Sequence, residues 1–293
     1  MHKAGFVNIV GNPNVGKSTL MNQLVGEKLS IATFKAQTTR HRIMGIVNTE
    51  DSQIVFSDTP GVLKPNYKMQ EMMLQFSESA LADADILLYV TDVVEDPEKN
   101  MDFLEKVSKM SIPVILLINK IDESDQKTLG NLVTKWHGLL PNAEILPISA
   151  KNKFGVDILL KRVHELLPES PAFFDKDQLT DKPAKFFVSE IIREKILRYY
   201  DKEIPYSVEV VVERFKEDDR QIHINAVIYV ERSSQKGIII GHQGMALKKV
   251  STEARKSLER FFDKKIFLET FVKVDKDWRN SQKELGNFGY NPE

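Results

Sequence analysis

Short apolar runs recur through the first half of the chain, and each ends in small, polar or charged residues. Residues 6–10, 43–47, 54–57, 86–90, 114–118 and 144–148 are rich in aliphatic and β-branched side chains and read as strands. Between them, residues 19–26, 69–84, 102–110, 127–140 and 155–167 space their apolar positions for helices. In the first of these Leu20, Leu24 and Val25 share a face. The unbroken runs 86–90 and 114–118 have the pattern of parallel strands buried on both faces. Residues 43–47 and 54–57 flank a polar turn at 48–52. Residues 29–42 hold the run Lys35-Ala36-Gln37-Thr38-Thr39-Arg40-His41-Arg42, which is too polar for a core element and reads as a long loop. Alternating strands and helices predict a doubly wound α/β sheet that binds its ligands at the strand ends.

The rhythm stops at 168–183, a stretch of Pro, Asp and Lys without periodicity, which reads as a linker. Its Phe173 and Phe174 are expected to dock, because free aromatic pairs are uncommon in flexible linkers. A different order follows: a helix at 187–201, strands at 208–215 and 221–231 around a turn at 216–220, and a short segment at 235–240. Then come Gly241-His242-Gln243-Gly244, a long helix at 245–263 and a strand at 265–274. The long helix puts Leu247, Val250, Ala254, Leu258, Phe261 and Phe262 on its core face, with Lys248, Lys249, Arg255 and Lys256 opposite. The expected divisions are a domain at 1–168, a linker at 169–183, a smaller α+β domain at 184–275 and a tail at 276–293.

Composition sharpens this division. The 293 residues are 42% hydrophobic, enough for two domains with sizeable cores. No apolar run approaches the length of a membrane span, and the first strand follows the N-terminus too closely for a signal peptide. The absence of cysteine excludes disulfides and thiolate metal sites, and suits a reducing compartment. The net charge of −1 hides an asymmetry. Residues 1–181 carry 19 Lys+Arg against 24 Asp+Glu, whereas residues 182–293 carry 22 against 18. Most of the basic excess falls in 232–265, with nine basic and three acidic residues. A basic second half hints at a nucleic-acid partner.

The candidate chemistry sits at the predicted strand ends. Gly11-Asn12-Pro13-Asn14-Val15-Gly16-Lys17-Ser18 has the two glycines, lysine and hydroxyl of a phosphate-binding loop. A loop between strand and helix aims backbone N–H groups and the positive helix end at one anion. Lys17 would reach the β/γ-phosphates and Ser18 would hold Mg²⁺, with Thr19 opening the helix. Asp58-Thr59-Pro60-Gly61 supplies a carboxylate to hold the cation through water and a Gly61 N–H for a terminal phosphate. Asn119-Lys120-Ile121-Asp122 ends a buried strand. A carboxylate at Asp122 accepts the N1–H and 2-amino N–H of guanine together, which adenine cannot offer. Asn119 would brace the phosphate loop, and the Lys120 stem would lie on the base. Ser149-Ala150-Lys151 closes the set, with the Ala150 N–H suited to guanine O6. Each motif alone has a plain alternative as a turn or helix cap; four in order at strand ends do not.

In this order the motifs resemble those of the translation-factor-related GTPases, and the wording GNPNVGKS, QTTRHR, DTPG, NKID and SAK resembles the Era subfamily. The resemblance implies GTP hydrolysis, with Thr38 or Thr39 as the switch threonine meeting Mg²⁺ and γ-phosphate. Thr39, directly before the basic residue, is preferred. It also implies that GTP orders residues 33–42 and 59–68 and that hydrolysis releases them. Lys17, Asn14 and Thr39 are then the catalytic candidates, and Ser18, Thr39 and Asp58 the metal ligands. Val62 stands where small GTPases carry a water-orienting glutamine. In related GTPases an asparagine at the position of Asn14 helps to bind a potassium ion.

The GxxG turn, preceded by Ile238, Ile239 and Ile240, resembles that of a type II KH domain, which clamps about four single-stranded nucleotides. Lys236, Ile239, Ile240, Gly241, His242, Gln243, Gly244, Lys248 and Lys249 are the RNA-binding candidates. The subfamily implies a monomer that binds the 3′ end of small-subunit ribosomal RNA during assembly of that subunit. It implies a cytoplasmic location, with peripheral contact to the inner membrane face in some members. An ATP-dependent phosphotransferase is disfavoured by Asp122. A scaffold with a degenerate nucleotide site is disfavoured because every motif position is filled.

Overall fold

The computed structural model describes residues 2–291, which divide after Asp181 into two compact units. The first holds six strands in the order β2-β3-β1-β4-β5-β6. These are β1 (Lys3–Gly11), β2 (Ile43–Asn48), β3 (Ser52–Asp58), β4 (Ile86–Asp92), β5 (Val114–Asn119) and β6 (Glu144–Pro147). β2 runs antiparallel to β3 and every other pairing is parallel. β3 and β4 are buried at every residue, as strands covered on both faces must be. The helices are α1 (Lys17–Val25), α2 (Lys68–Ala82), α3 (Met101–Ser108), α4 (Gln126–Leu139) and α5 (Val156–Leu166). The strand order turns back at β1, with β3 on one side and β4 on the other. The crevice above the carboxyl end of β1 is therefore the ligand position of an open α/β sheet.

Residues 169–181, expected as a linker, are pinned to this first unit. The Phe173 ring lies 4.9 Å from that of Phe6. Gln53, wholly buried, accepts from the N–H groups of Phe173 and Phe174 and donates to Phe174 O. Further on, Leu179 O accepts from Ile46 N, Thr180 Oγ1 donates to Met44 O, and Asp181 accepts from Met44 N. β2 is an edge strand with unpaired backbone groups, and this strap covers them. Composition marks the strap as irregular; only the edge beside it makes it fixed.

The second unit begins with α6 (Ala184–Tyr199) and contains β7 (Val208–Glu217), β8 (Gln221–Val230), α7 (Ser233–Ile240), α8 (Met245–Phe262), β9 (Lys265–Val274) and α9 (Gln282–Asn287). β8 lies between β7, antiparallel to it, and β9, parallel to it. The core joins Val188, Ile192 and Ile196 of α6 and Val250, Ala254 and Leu258 of α8 to Ile222, Ile224 and Ile228 of β8. Phe261, expected on the core face of α8, is 41% exposed and stacks on Phe187 instead. At helix spacing it falls at the rim of the apolar stripe. The expected tail is a built part of this unit. Trp278, Leu285 and Tyr290 are wholly buried, and the Tyr290 hydroxyl donates to Glu209 at 2.7 Å.

Candidate nucleotide and RNA sites

β1 carries the chain to Gly11, and the loop turns into α1 through left-handed residues at Asn14 (φ 67°) and Gly16 (φ 97°). Asparagine is among the few side chains that tolerate this region. Such a turn points successive N–H groups into one concavity. The cavity is about 590 Å³, and Pro13, Asn14, Gly16, Lys17, Ser18 and Thr19 form its floor. Val15 is buried beneath it. Lys17 is buried too, with Nζ donating to Gly11 O at 3.0 Å and Asn12 O at 2.8 Å. Burial lowers its pKa to about 8, against the opposing pull of Asp58. Burial also raises the Asp58 carboxyl, which Lys17 and its hydroxyl neighbours draw back down.

Three elements bring hard oxygen donors together. Ser18 Oγ donates to Asp58 Oδ2 at 2.7 Å and lies 2.8 Å from Thr39 Oγ1, which is 3.3 Å from the same carboxylate oxygen. Asp58 Oδ1 is buried without a well-placed hydrogen-bond partner among the described residues. Thr38 lies apart, donating to Lys35 O and paired with Thr33. Thr59 donates to Ile9 O, and Pro60 O accepts from Ser77, so the turn after β3 is held at both. Gly61 lines the cavity. Val62 does not; it is buried in the core with Val10, Leu87 and Tyr89.

At the end of β5, Asn119 donates from Nδ2 to Val15 O at 2.8 Å and so braces the phosphate loop. Its Oδ1 accepts from the Ala150 N–H at 2.9 Å. In this structure Asn119 holds the N–H expected for guanine O6, because the β5 and β6 ends meet side by side. Lys120 bonds Asn14 O at 2.8 Å and Asp92 at 2.5 Å. Asp122 is exposed at the cavity wall with Glu123 and Lys151, and accepts from Ser149 Oγ at 2.5 Å. Ile121 is half-buried and its N–H bonds Ile148 O. Sequence reasoning missed Asp92, which ends β4 as Asp58 ends β3. Phe34, wholly exposed, lines the cavity as well.

In the second unit α7 stops at Gly241 (φ 71°), and Gln243 and Gly244 are left-handed before α8 begins. The Tyr200 hydroxyl, its pKa pushed up to about 12 by burial, donates to Ile239 O and fixes the last turn of α7. His242, Gln243 and Lys248 are exposed, and Lys236 and Ile240 half-buried. Lys249 places Nζ 4.5 Å over the Tyr199 ring. Ile239 is corrected as an RNA contact: it is wholly buried in the core. Successive helical residues diverge by about 100°, so of the three isoleucines the middle one faces inward. The apolar groups presented beside the turn are Ile238 and Met245, 49% and 59% exposed.

A family model described as a 50S ribosome-binding GTPase matches residues 6–120, and a KH domain model matches residues 203–279. The chain is 44% identical over 292 residues to GTPase Era of Clostridium kluyveri, covering 99% of this chain and all of that one. The chain belongs to the Era family of GTPases. Era of Geobacter sp. strain M21 is 46% identical over 290 residues, 98% of each chain. Era in complex with MgGDPNP and nucleotides 1506–1542 of 16S ribosomal RNA superposes with a TM-score of 0.94 at 37% identity over 99% of both chains. An Aquifex aeolicus Era variant bound to GDP.AlF4⁻ gives the same score and identity over 98% of this chain and 99% of that one.

Proposed function

We propose that this Era-family GTPase uses GTP to switch a KH domain that grips single-stranded RNA at the 3′ end of small-subunit ribosomal RNA during assembly of that subunit. The convergence of Lys17, Ser18, Thr39 and Asp58 at the strand ends carries the reading. A buried ammonium, two hydroxyls and a partly orphaned carboxylate make a site for a phosphate chain and a hard divalent cation. The Era complex with MgGDPNP and 16S RNA supports both partners. The 50S description belongs to a model that covers only part of the first unit.

Ser18, Thr39 and Asp58 fit Mg²⁺, which when bound neutralises charge on the β- and γ-phosphates. The chain itself does the rest. Backbone N–H groups of the loop bind the phosphates, Lys17 turns from the Gly11 and Asn12 carbonyls to them, and Asp122 selects guanine. Val62 is committed to the core and orients no water. A monovalent cation at Asn14, which is exposed on the loop, supplies the missing charge in this proposal. Turnover should then rise when potassium replaces sodium, and lose that response in Asn14→Ala; equal rates in both salts reject it. The cytoplasmic location, the monomeric state and peripheral membrane contact belong to the same reading. Gel filtration and vesicle co-sedimentation test the last two.

The base assignment tests the whole. Asp122→Asn should weaken GTP binding by about 2–4 kcal/mol, the worth of a charged bidentate contact, and strengthen binding of xanthosine triphosphate. Unchanged GTP affinity would place the base elsewhere.

A further inference from the structure

Asn100 stands at the start of α3, where asparagine ordinarily turns onto the N–H groups of its own first turn. Its side chain makes no capping bond there. The amide reaches instead to the phosphate loop and to the turn after β3. Nδ2 donates to Asn12 Oδ1 and, at 3.2 Å, to Val62 O. Asn12 is held from its other end by Glu95, a half-buried carboxylate that also accepts from Thr91 Oγ1 at 2.8 Å. None of Asn100, Glu95 and Thr91 belongs to the sequence motifs of the site.

The turn they grip is fixed on its remaining sides. Val62 donates its N–H to Gly11 O at 3.1 Å, and its side chain is locked in the core. Gly61 lies so close to the loop that an added Cβ would stand 2.7 Å from Pro13 N and Cα. Both backbone groups of residue 62 are thus engaged, and the Asn100 side chain spans the loop and the turn at once.

We propose that Asn100 is a positioning residue for GTP hydrolysis: by bonding Asn12 and the Val62 carbonyl together it sets the Gly61–Val62 turn against the phosphate loop, where the Gly61 N–H meets the terminal phosphate. The inference rests on the reading of this cavity as the GTP site. With valine at position 62 no side chain there orients water, so the rate depends on where the backbone is held. A displacement of about 1 Å around a reacting group can slow a reaction by about a hundredfold.

Two variants test this role. Asn100→Asp keeps the size and is as good an N-cap as asparagine, but has no N–H to donate. Asn100→Ala removes the donor, with no side-chain cap to lose, and adds no charge beside Asn12. Single-turnover and steady-state GTP hydrolysis, GDP affinity and thermal unfolding are measured for each with the wild type alongside. Both variants should lose about tenfold or more in kcat, with GDP affinity within about twofold and Asn100→Ala, which brings no carboxylate against the Asn12 and Val62 oxygens, keeping a cooperative unfolding transition. Wild-type turnover by Asn100→Asp would overturn the proposal, whatever Asn100→Ala does, since the donor would then be dispensable. A fall in GDP affinity matching the fall in kcat would also overturn it, because the residue would merely hold the loop. A wild type that binds GTP without hydrolysing it would instead sink the functional reading on which the proposal rests.

Discussion

At the scale of single residues the phosphate and cation end of the nucleotide site is built from buried polar groups, Lys17, Thr39 and Asp58. Lys17 shows this most sharply. Burial lowers its pKa from 10.5 to about 8, so the folded chain binds fewer protons than the unfolded chain between those values. This group's contribution to stability therefore rises with pH across that window. A phosphate chain favours the ammonium and reverses the shift. GDP binding should then take up more proton at about pH 9 than at about pH 7.5, with affinity falling above about pH 8. Calorimetry in buffers of different ionisation heat reads the uptake directly; equal heats at about pH 9 would mean Lys17 does not change its titration on binding. Lysine and its spacing were legible in the sequence. Its depth, and its two carbonyl partners, follow from how the loop closes over it.

At the scale of elements, the irregular segments do more than connect. Gln53 in β3 holds the strap at 173–174 through both ends of one amide. Gln53→Ala leaves two N–H groups and a carbonyl without their partner, and should destabilise the first unit by about 2–3 kcal/mol. Urea unfolding measures the loss, and faster proteolytic cleavage within 169–181 would localise it; an unchanged midpoint would show that the strap holds without the amide. The GxxG turn divides its labour in the same local way. A Cβ at Gly241 would meet Ala246 Cβ at 2.6 Å, so that glycine is required by packing. At Gly244 a Cβ meets nothing within 4 Å, and the left-handed φ of 75° is one that aspartate tolerates.

At the scale of the whole chain, that difference lets RNA binding be removed without unfolding the second unit. Gly244→Asp should abolish binding to matched single-stranded RNA while GTP affinity and the unfolding transition of the second unit stay near wild type, because the added carboxylate faces open space and repels phosphate. Lys248→Ala should weaken matched and scrambled RNA alike and reduce the salt slope by about 0.7, one phosphate contact on a single strand. Filter binding across a salt series distinguishes them. Wild-type affinity in Gly244→Asp would reduce the turn to a helix connector. The charge asymmetry between the halves, −5 against +4, agrees with nucleotide and RNA being bound on separate units.

The sequence by itself determined the order of strands and helices, since period and apolar content are local properties of the chain. It also determined the four nucleotide motifs and the GxxG turn, because each chemistry needs fixed residue types at fixed spacing. Tertiary structure alone decided which residues meet across that spacing. It chose Thr39 over Thr38 beside Ser18 and Asp58, gave the Ala150 N–H to Asn119, and buried Ile239 while exposing Ile238. It turned 169–181 from a linker into a strap and residues 278–290 from a tail into part of a core. These outcomes depend on partners far away in sequence. A strand edge in need of hydrogen bonds, or a pocket that admits one aromatic ring, leaves no periodic trace in the segment that fills it. Asn100 is the extreme case: its sequence neighbours mark a helix cap, and its contacts lie 38 and 88 residues away.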